Sequence, residues 1–208
     1  SHTIGDTTLV FAAVSNDTVT LQFLPDANGS TDIIFTATNP IIRSSISDTM
    51  TVTVLPVNDP PVLASIGSQS VNEDTAKVVT LSATDVESDN LTYSAASAES
   101  NVTATVDGTT LTLTPATNWN GTAEITVTVT DDGTGTLTDT KTFTLTVNPI
   151  NDNPVLASVG AQTTNEDTAK VILLTATDID EDDLTYTATS AETNVTASIN
   201  NDTLTLTP

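Results

Sequence analysis

The chain has 208 residues, with 27 acidic against four basic side chains, a net charge of −23, one histidine and no cysteine. That charge opposes binding to nucleic acid or an anionic membrane surface, and the missing cysteines exclude disulfides and thiolate metal sites. Hydrophobic residues make up 37% and aromatics 3%, so a core must come mainly from Val, Leu, Ile and Ala, and no apolar run reaches the roughly 18 residues of a membrane span.

An internal repeat organises everything else. Residues 58–115 align with 151–208 without a gap at an offset of 93, with 38 of 58 positions identical. Glu73-Asp74-Thr75-Ala76-Lys77 returns as Glu166-Asp167-Thr168-Ala169-Lys170, and Leu111-Thr112-Leu113-Thr114-Pro115 as Leu204-Thr205-Leu206-Thr207-Pro208. The period is too long for a solenoid rung and fits one sandwich domain of about 100 residues. The chain therefore divides into 1–57, the second half of a diverged repeat; 58–150, a complete repeat; and 151–208, the first part of a further one. Nothing at the amino terminus reads as a leader, and the phase of the repeat predicts an excerpt of a longer chain.

Taken in order, the complete repeat predicts seven strands, near Gln69–Val71, Lys77–Ala83, Leu91–Ser97, Val102–Val106, Thr110–Thr114, Ala123–Thr130 and Lys141–Val147. Ile125, Val127 and Val129 alternate with threonines, as do Phe143, Leu145 and Val147, which is the period of a half-buried strand. Asp107-Gly108, Asn120-Gly121 and Asp132-Gly133 supply turns, and no stretch holds a helical period. The predicted fold is all-β: tandem Greek-key β-sandwich domains with seven strands in each full repeat. Trp119, the single tryptophan, reads as a ring capping one end of the core. Tyr93 and Tyr186 read as core or edge residues.

Three acidic motifs recur where repeats meet. They are the linkers Asn58-Asp59-Pro60-Pro61 and Asn151-Asp152-Asn153-Pro154, the pairs Asn72-Glu73-Asp74 and Asn165-Glu166-Asp167, and the runs Asp85-Val86-Glu87-Ser88-Asp89 and Asp178-Ile179-Asp180-Glu181-Asp182-Asp183. Any one of them makes an ordinary turn or cap. Their joint recurrence beside a proline-bearing linker points to cation ligation, since crowded carboxylates repel unless a cation joins them. An oxygen-only donor set suits Ca²⁺, which accepts six to eight oxygens in irregular geometry. A helix–loop–helix calcium loop is excluded, because its Gly and distal Glu are missing.

These residues resemble a cadherin-type repeat in the form found in large bacterial surface adhesins. Asn151-Asp152-Asn153-Pro154 is similar to the cadherin junction motif Asp-x-Asn-Asp-Asn-x-Pro, with Pro149 in place of the leading Asp. Asn58-Asp59-Pro60-Pro61 also lacks the last Asn. Asp178-Ile179-Asp180 resembles the Asp-x-Asp of the following domain, Asp85-Val86-Glu87 is a weaker version of it, and Glu73 and Glu166 resemble the glutamate near the start of the preceding domain. The resemblance implies one Ca²⁺ junction formed by Glu73, Asn151, Asp152, Asn153, Asp178, Asp180 and Asp182, and another by Asn58, Asp59, Asp85, Glu87 and Asp89. The cadherin Asp-Arg-Glu motif is absent; Asn118-Trp119-Asn120-Gly121 stands in that region, so one or two ions per junction are expected, with the intact linker at 151–154 the better of the two.

The function expected is that of an extracellular or cell-surface adhesin segment: a rod stiffened by Ca²⁺ whose partners are neighbouring repeats of its own chain. Glycan or surface binding is an alternative from a different class, opposed by the near-identity of the repeats and the scarcity of aromatics. A third reading is a fibre built head to tail, since 151–208 lacks its final two strands and 1–57 carries strands of that type. Catalysis is not expected, because every acidic cluster recurs with the period and the lone His2 offers no base for a nucleophile.

Overall fold

The computed structural model describes residues 2–4, 9–16 and 18–208. In the first stretch, β1 (His2–Ile4), β4 (Gly29–Asn39) and β5 (Ser44–Val54) form one antiparallel sheet, and β2 (Val10–Ser15) and β3 (Thr18–Phe23) form a hairpin. Among the described residues, Leu9, Val10 and Ile33 are its buried apolar side chains.

The complete repeat holds β6 (Val62–Leu63), β7 (Gln69–Asn72), β8 (Lys77–Thr80), β9 (Ala83–Thr84), β10 (Thr92–Ser97), β11 (Val102–Asp107), β12 (Thr110–Pro115), β13 (Gly121–Thr130) and β14 (Thr138–Asn148). One sheet runs β10-β13-β14-β7 and the other β11-β12-β8, while β6 pairs with β9 at the end near the linker. All seven expected strands are present. The two additional ones, β6 and β9, are two residues each, too short to show a period. The expected stretch 77–83 divides because its partner changes: the Leu81 N–H still goes to the Thr109 carbonyl beside β12 (2.8 Å), whereas the Ser82 carbonyl accepts the Ala64 N–H (2.9 Å) and Ala83–Thr84 pairs with β6.

The alternation in sequence becomes the core directly. Ile125, Val127 and Val129 of β13, Leu145 and Val147 of β14, and Leu111 and Leu113 of β12 are buried in one cluster, and the threonines between them face outward. Trp119 and Tyr93 pack against its margin. On the outer face, facing threonines share hydroxyl hydrogen bonds, as between Thr128 and Thr140 (3.2 Å), which adds to each cross-strand pair. β7 joins β14 in parallel, Gln69 opposite Leu145 through Asn72 opposite Asn148. This pairing carries the next residue, Glu73, to the far end of the repeat.

The last stretch repeats the first half of this plan, with β15 (Val155–Leu156), β16 (Lys170–Leu173), β17 (Ala176–Thr177), β18 (Thr196–Asn200) and β19 (Thr203–Thr207). β15 pairs with β17, and β16-β19-β18 form a sheet. The hairpin turn carried by Gly108 (φ 56°) in one repeat is carried by Asn201 (φ 54°) in the other, a residue type that tolerates the left-handed region. Leu156, Leu174, Leu184 and Tyr186 line a cleft of about 230 Å³ on the side that β13 and β14 cover in the complete repeat.

Candidate metal centre

The two linkers are held by the same clasp. Asp59 N–H donates to Glu87 Oε2 (3.1 Å), and Asp152 N–H, 93 residues on, donates to Asp180 Oδ2 (2.6 Å). The acidic loops are built alike. Asp85 Oδ1 accepts the N–H groups of Glu87 (3.0 Å) and Asp89 (3.1 Å), and Asp178 Oδ1 accepts those of Asp180 (3.0 Å) and Asp182 (3.4 Å). Ser88 and Glu181, at matching positions, take positive φ (65° and 62°) to let each loop turn back on its first aspartate.

At the 151–154 junction, Glu73 is buried, 4% exposed, and its Oε1 accepts the Ile150 N–H (2.5 Å). The Asp152 carboxyl is raised from its ordinary value, first by burial and then by the charges of Asp180, Asp74, Glu73 and Asp178. The linker is thus bonded to an acid of the complete repeat, through Glu73 and Ile150, and to one of the following stretch, through Asp180 and Asp152. Asn153, Asp152, Asp178 and Asn118 line a cleft of about 290 Å³. Asn151 turns aside, its amide donating to the Asp152 carbonyl (3.1 Å), and Asp182 is exposed.

At the 58–61 junction the arrangement is more enclosed. Asn58 Nδ2 donates to Asp131 Oδ2 (3.1 Å), and Asp131, 3% exposed, accepts the N–H groups of Gly133 (3.2 Å) and Leu137 (3.0 Å) on its other oxygen. Asp85 Oδ2 is buried without a hydrogen-bond partner. Asp89 is raised by burial and by Asp85, Asp132, Asp131 and Glu87. A second cleft of about 290 Å³, on the side toward the first stretch, is lined by Asp26, Asn28, Val57, Asp59 and Glu87 among others.

The fit to a cation follows from these details. Among the described residues, no group of three or more Asp, Glu or His side chains stands arranged as a cage. What the 58–61 junction offers is a hard-oxygen set with one buried carboxylate oxygen left unpaired, a group costly to bury without a partner. That chemistry suits Ca²⁺.

Asp152 and Asn153 of the intact Asn-Asp-Asn line one cleft, and Asp59 and Glu87 line another of the same size. Asp131 carries no signal in the sequence, while Asp132, Gly133, Asp74 and Asn118 stand there only as turn or motif residues. Asp132-Gly133 reads as a turn in sequence, and only the hydrogen bond across 73 residues shows that Asp131 faces Asn58. Asp74 was visible in its motif; its Oδ1 accepts the Asn118 N–H (3.0 Å).

The fold is a cadherin-like, immunoglobulin-like β-sandwich. Residues 58–147 match the family described as Bacterial Ig domain. Human CDH23 EC21-23 is similar over 97% of this chain and 72% of its own, at 17% identity and a TM-score of 0.57. The protocadherin gammaB7 EC3-6 structure is similar over 100% of this chain and 58% of its own, at 16% identity and a TM-score of 0.53. The protocadherin GammaB4 extracellular domain is similar over 100% and 39%, at 18% identity and a TM-score of 0.51. No curated protein matches the chain. Among the described residues, no helix is long and apolar enough to cross a membrane.

Proposed function

We propose that the chain is a structural segment of a cell-surface adhesin or fibre, a rod whose joints are stiffened by Ca²⁺. The observation that carries this reading is that the linker is held from both sides by acids, Glu73 Oε1 accepting the Ile150 N–H and Asp180 Oδ2 the Asp152 N–H. Left alone, Glu73, Asp152, Asp178 and Asp180 repel one another, and a bend in the linker relieves that repulsion. A bound Ca²⁺ supplies the positive charge that these oxygens lack. The chain's own contribution is to bring the oxygens together: β7 carries Glu73 to the junction, and the Asp152–Asp180 clasp fixes the linker against the next loop. Pro60 and Pro154 narrow the freedom of each linker further. The recurrence of both junction patterns at one period favours a mechanical role over catalysis or a single ligand site.

Small-angle scattering with Ca²⁺ and with chelator tests this. A longer maximum dimension and a higher melting temperature in Ca²⁺ are expected; unchanged values of both would overturn the proposal.

A further inference from the structure

The chain enters and leaves the complete repeat on strands that run the same way. From 58–61 it passes through β6 to β7, and it leaves on β14, whose last four residues pair in parallel with β7, Leu145 with Gln69 through Asn148 with Asn72. A pull along the chain therefore draws β7 one way by its first residue and β14 the other way by its last. The strands are made to slide past each other, and the evenly spaced bonds of a parallel pair are strained together. Strands drawn apart from one end would instead lose those bonds one at a time.

The pairing is lengthened where β14 leaves it. The Glu73 N–H donates to the Asn148 carbonyl (2.9 Å), and the Asn148 side-chain amide donates to Asn72 Oδ1 (3.4 Å). Pro149 has no N–H and would end the ladder there. The buried Glu73 carboxylate reaches past it to the Ile150 N–H (2.5 Å), a hydrogen bond strengthened by charge. At the entry the hold is shorter. β6 makes two pairs with β9, and Asp139 Oδ2 and the Ser82 carbonyl accept the N–H groups of Leu63 and Ala64 (both 2.9 Å).

We propose that β7 and the end of β14, closed by Glu73 across Pro149, form a shear clamp that resists tension along the chain. The clamp lies within one repeat and needs no metal, so it stands or fails separately from the Ca²⁺ joints.

The chain has no cysteine, so introduced pairs can serve as handles for single-molecule force spectroscopy, run in chelator. Val57→Cys with Pro154→Cys loads the complete repeat along the chain. Ser68→Cys with Thr144→Cys, both at exposed positions just before the paired residues, draws β7 and β14 apart from one end. Forced unfolding is governed by the unfolding rate, and at one loading rate the rupture force along the chain should be about twofold higher or more. Both handle pairs act on the same folded repeat, so overall stability does not produce the difference. Adding Glu73→Ala should lower the force along the chain and leave the other unchanged. Equal forces in the two directions would overturn the clamp. An unchanged force along the chain in Glu73→Ala would overturn its closure by Glu73.

Discussion

Glu73 and Glu166 stand at the same place in the same five-residue motif, yet Glu73 is buried and holds the Ile150 amide, while Glu166 is exposed. The segments before them differ in the same way. Residues 69–72 form β7 against β14, whereas 162–165, with Gln and Asn conserved in place, form no strand. Thr92–Ser97 is β10 on β13, and its counterpart 185–190 keeps its alternating exposure without a ladder. The two regions share most of their residues, so local propensity is held nearly constant. Among the described residues, β13 and β14 pair with the first of these segments and no counterpart pairs with the second. Strand formation here is a property of pairing rather than of the segment, and the acidic residue at the end of β7 becomes part of a junction only because that pairing delivers it.

The largest effect that would break this comparison is in the core. Leu111 is fully buried and its counterpart Leu204 only half-buried. Leu111→Ala should cost about 2–5 kcal/mol by denaturant unfolding, and Leu204→Ala markedly less; equal losses would mean that the two regions are packed alike.

Amide exchange comes next. The amides of β7 should be protected at least a hundredfold more than those of 162–165, and equal protection would show that the second segment finds a partner in solution. Glu73→Ala leaves the Ile150 N–H without its acceptor and should cost about 1–3 kcal/mol, while Glu166→Ala should be close to neutral.

The smallest effects are in titration, followed by carboxyl NMR in chelator. Asp152 is raised, so the folded chain holds its proton longer than the unfolded one, and this group favours folding at low pH and loses that contribution as pH rises through its folded value. Asp139 runs the other way. It is lowered by its hydrogen bonds from Lys141 and the Leu63 N–H, so its contribution is present above the ordinary carboxylate range and lost as pH falls through the depressed value. Asp152 titrating below Asp139 would contradict the crowding at the junction.

The fold was legible because its signal is local. Ile125, Val127 and Val129 declare their face by alternation, and the turns by Gly and Asn. The 93-residue offset located both linkers and both acidic loops. What escaped was set by contacts across the repeat. Nothing near Asp131 in sequence indicates that it binds Asn58, 73 positions away. The burial of Glu73 against Ile150, 77 residues apart, was invisible for the same reason.

The clasp between linker and loop has one more consequence. Asp59 and Glu87, like Asp152 and Asp180, are 28 residues apart and lie within a single period of the repeat. A duplication of one period therefore copies the hinge along with the domain it orients, and the new copy arrives already fitted to its own linker. Length in such a chain can be changed by gene duplication alone, with no joint left to be invented.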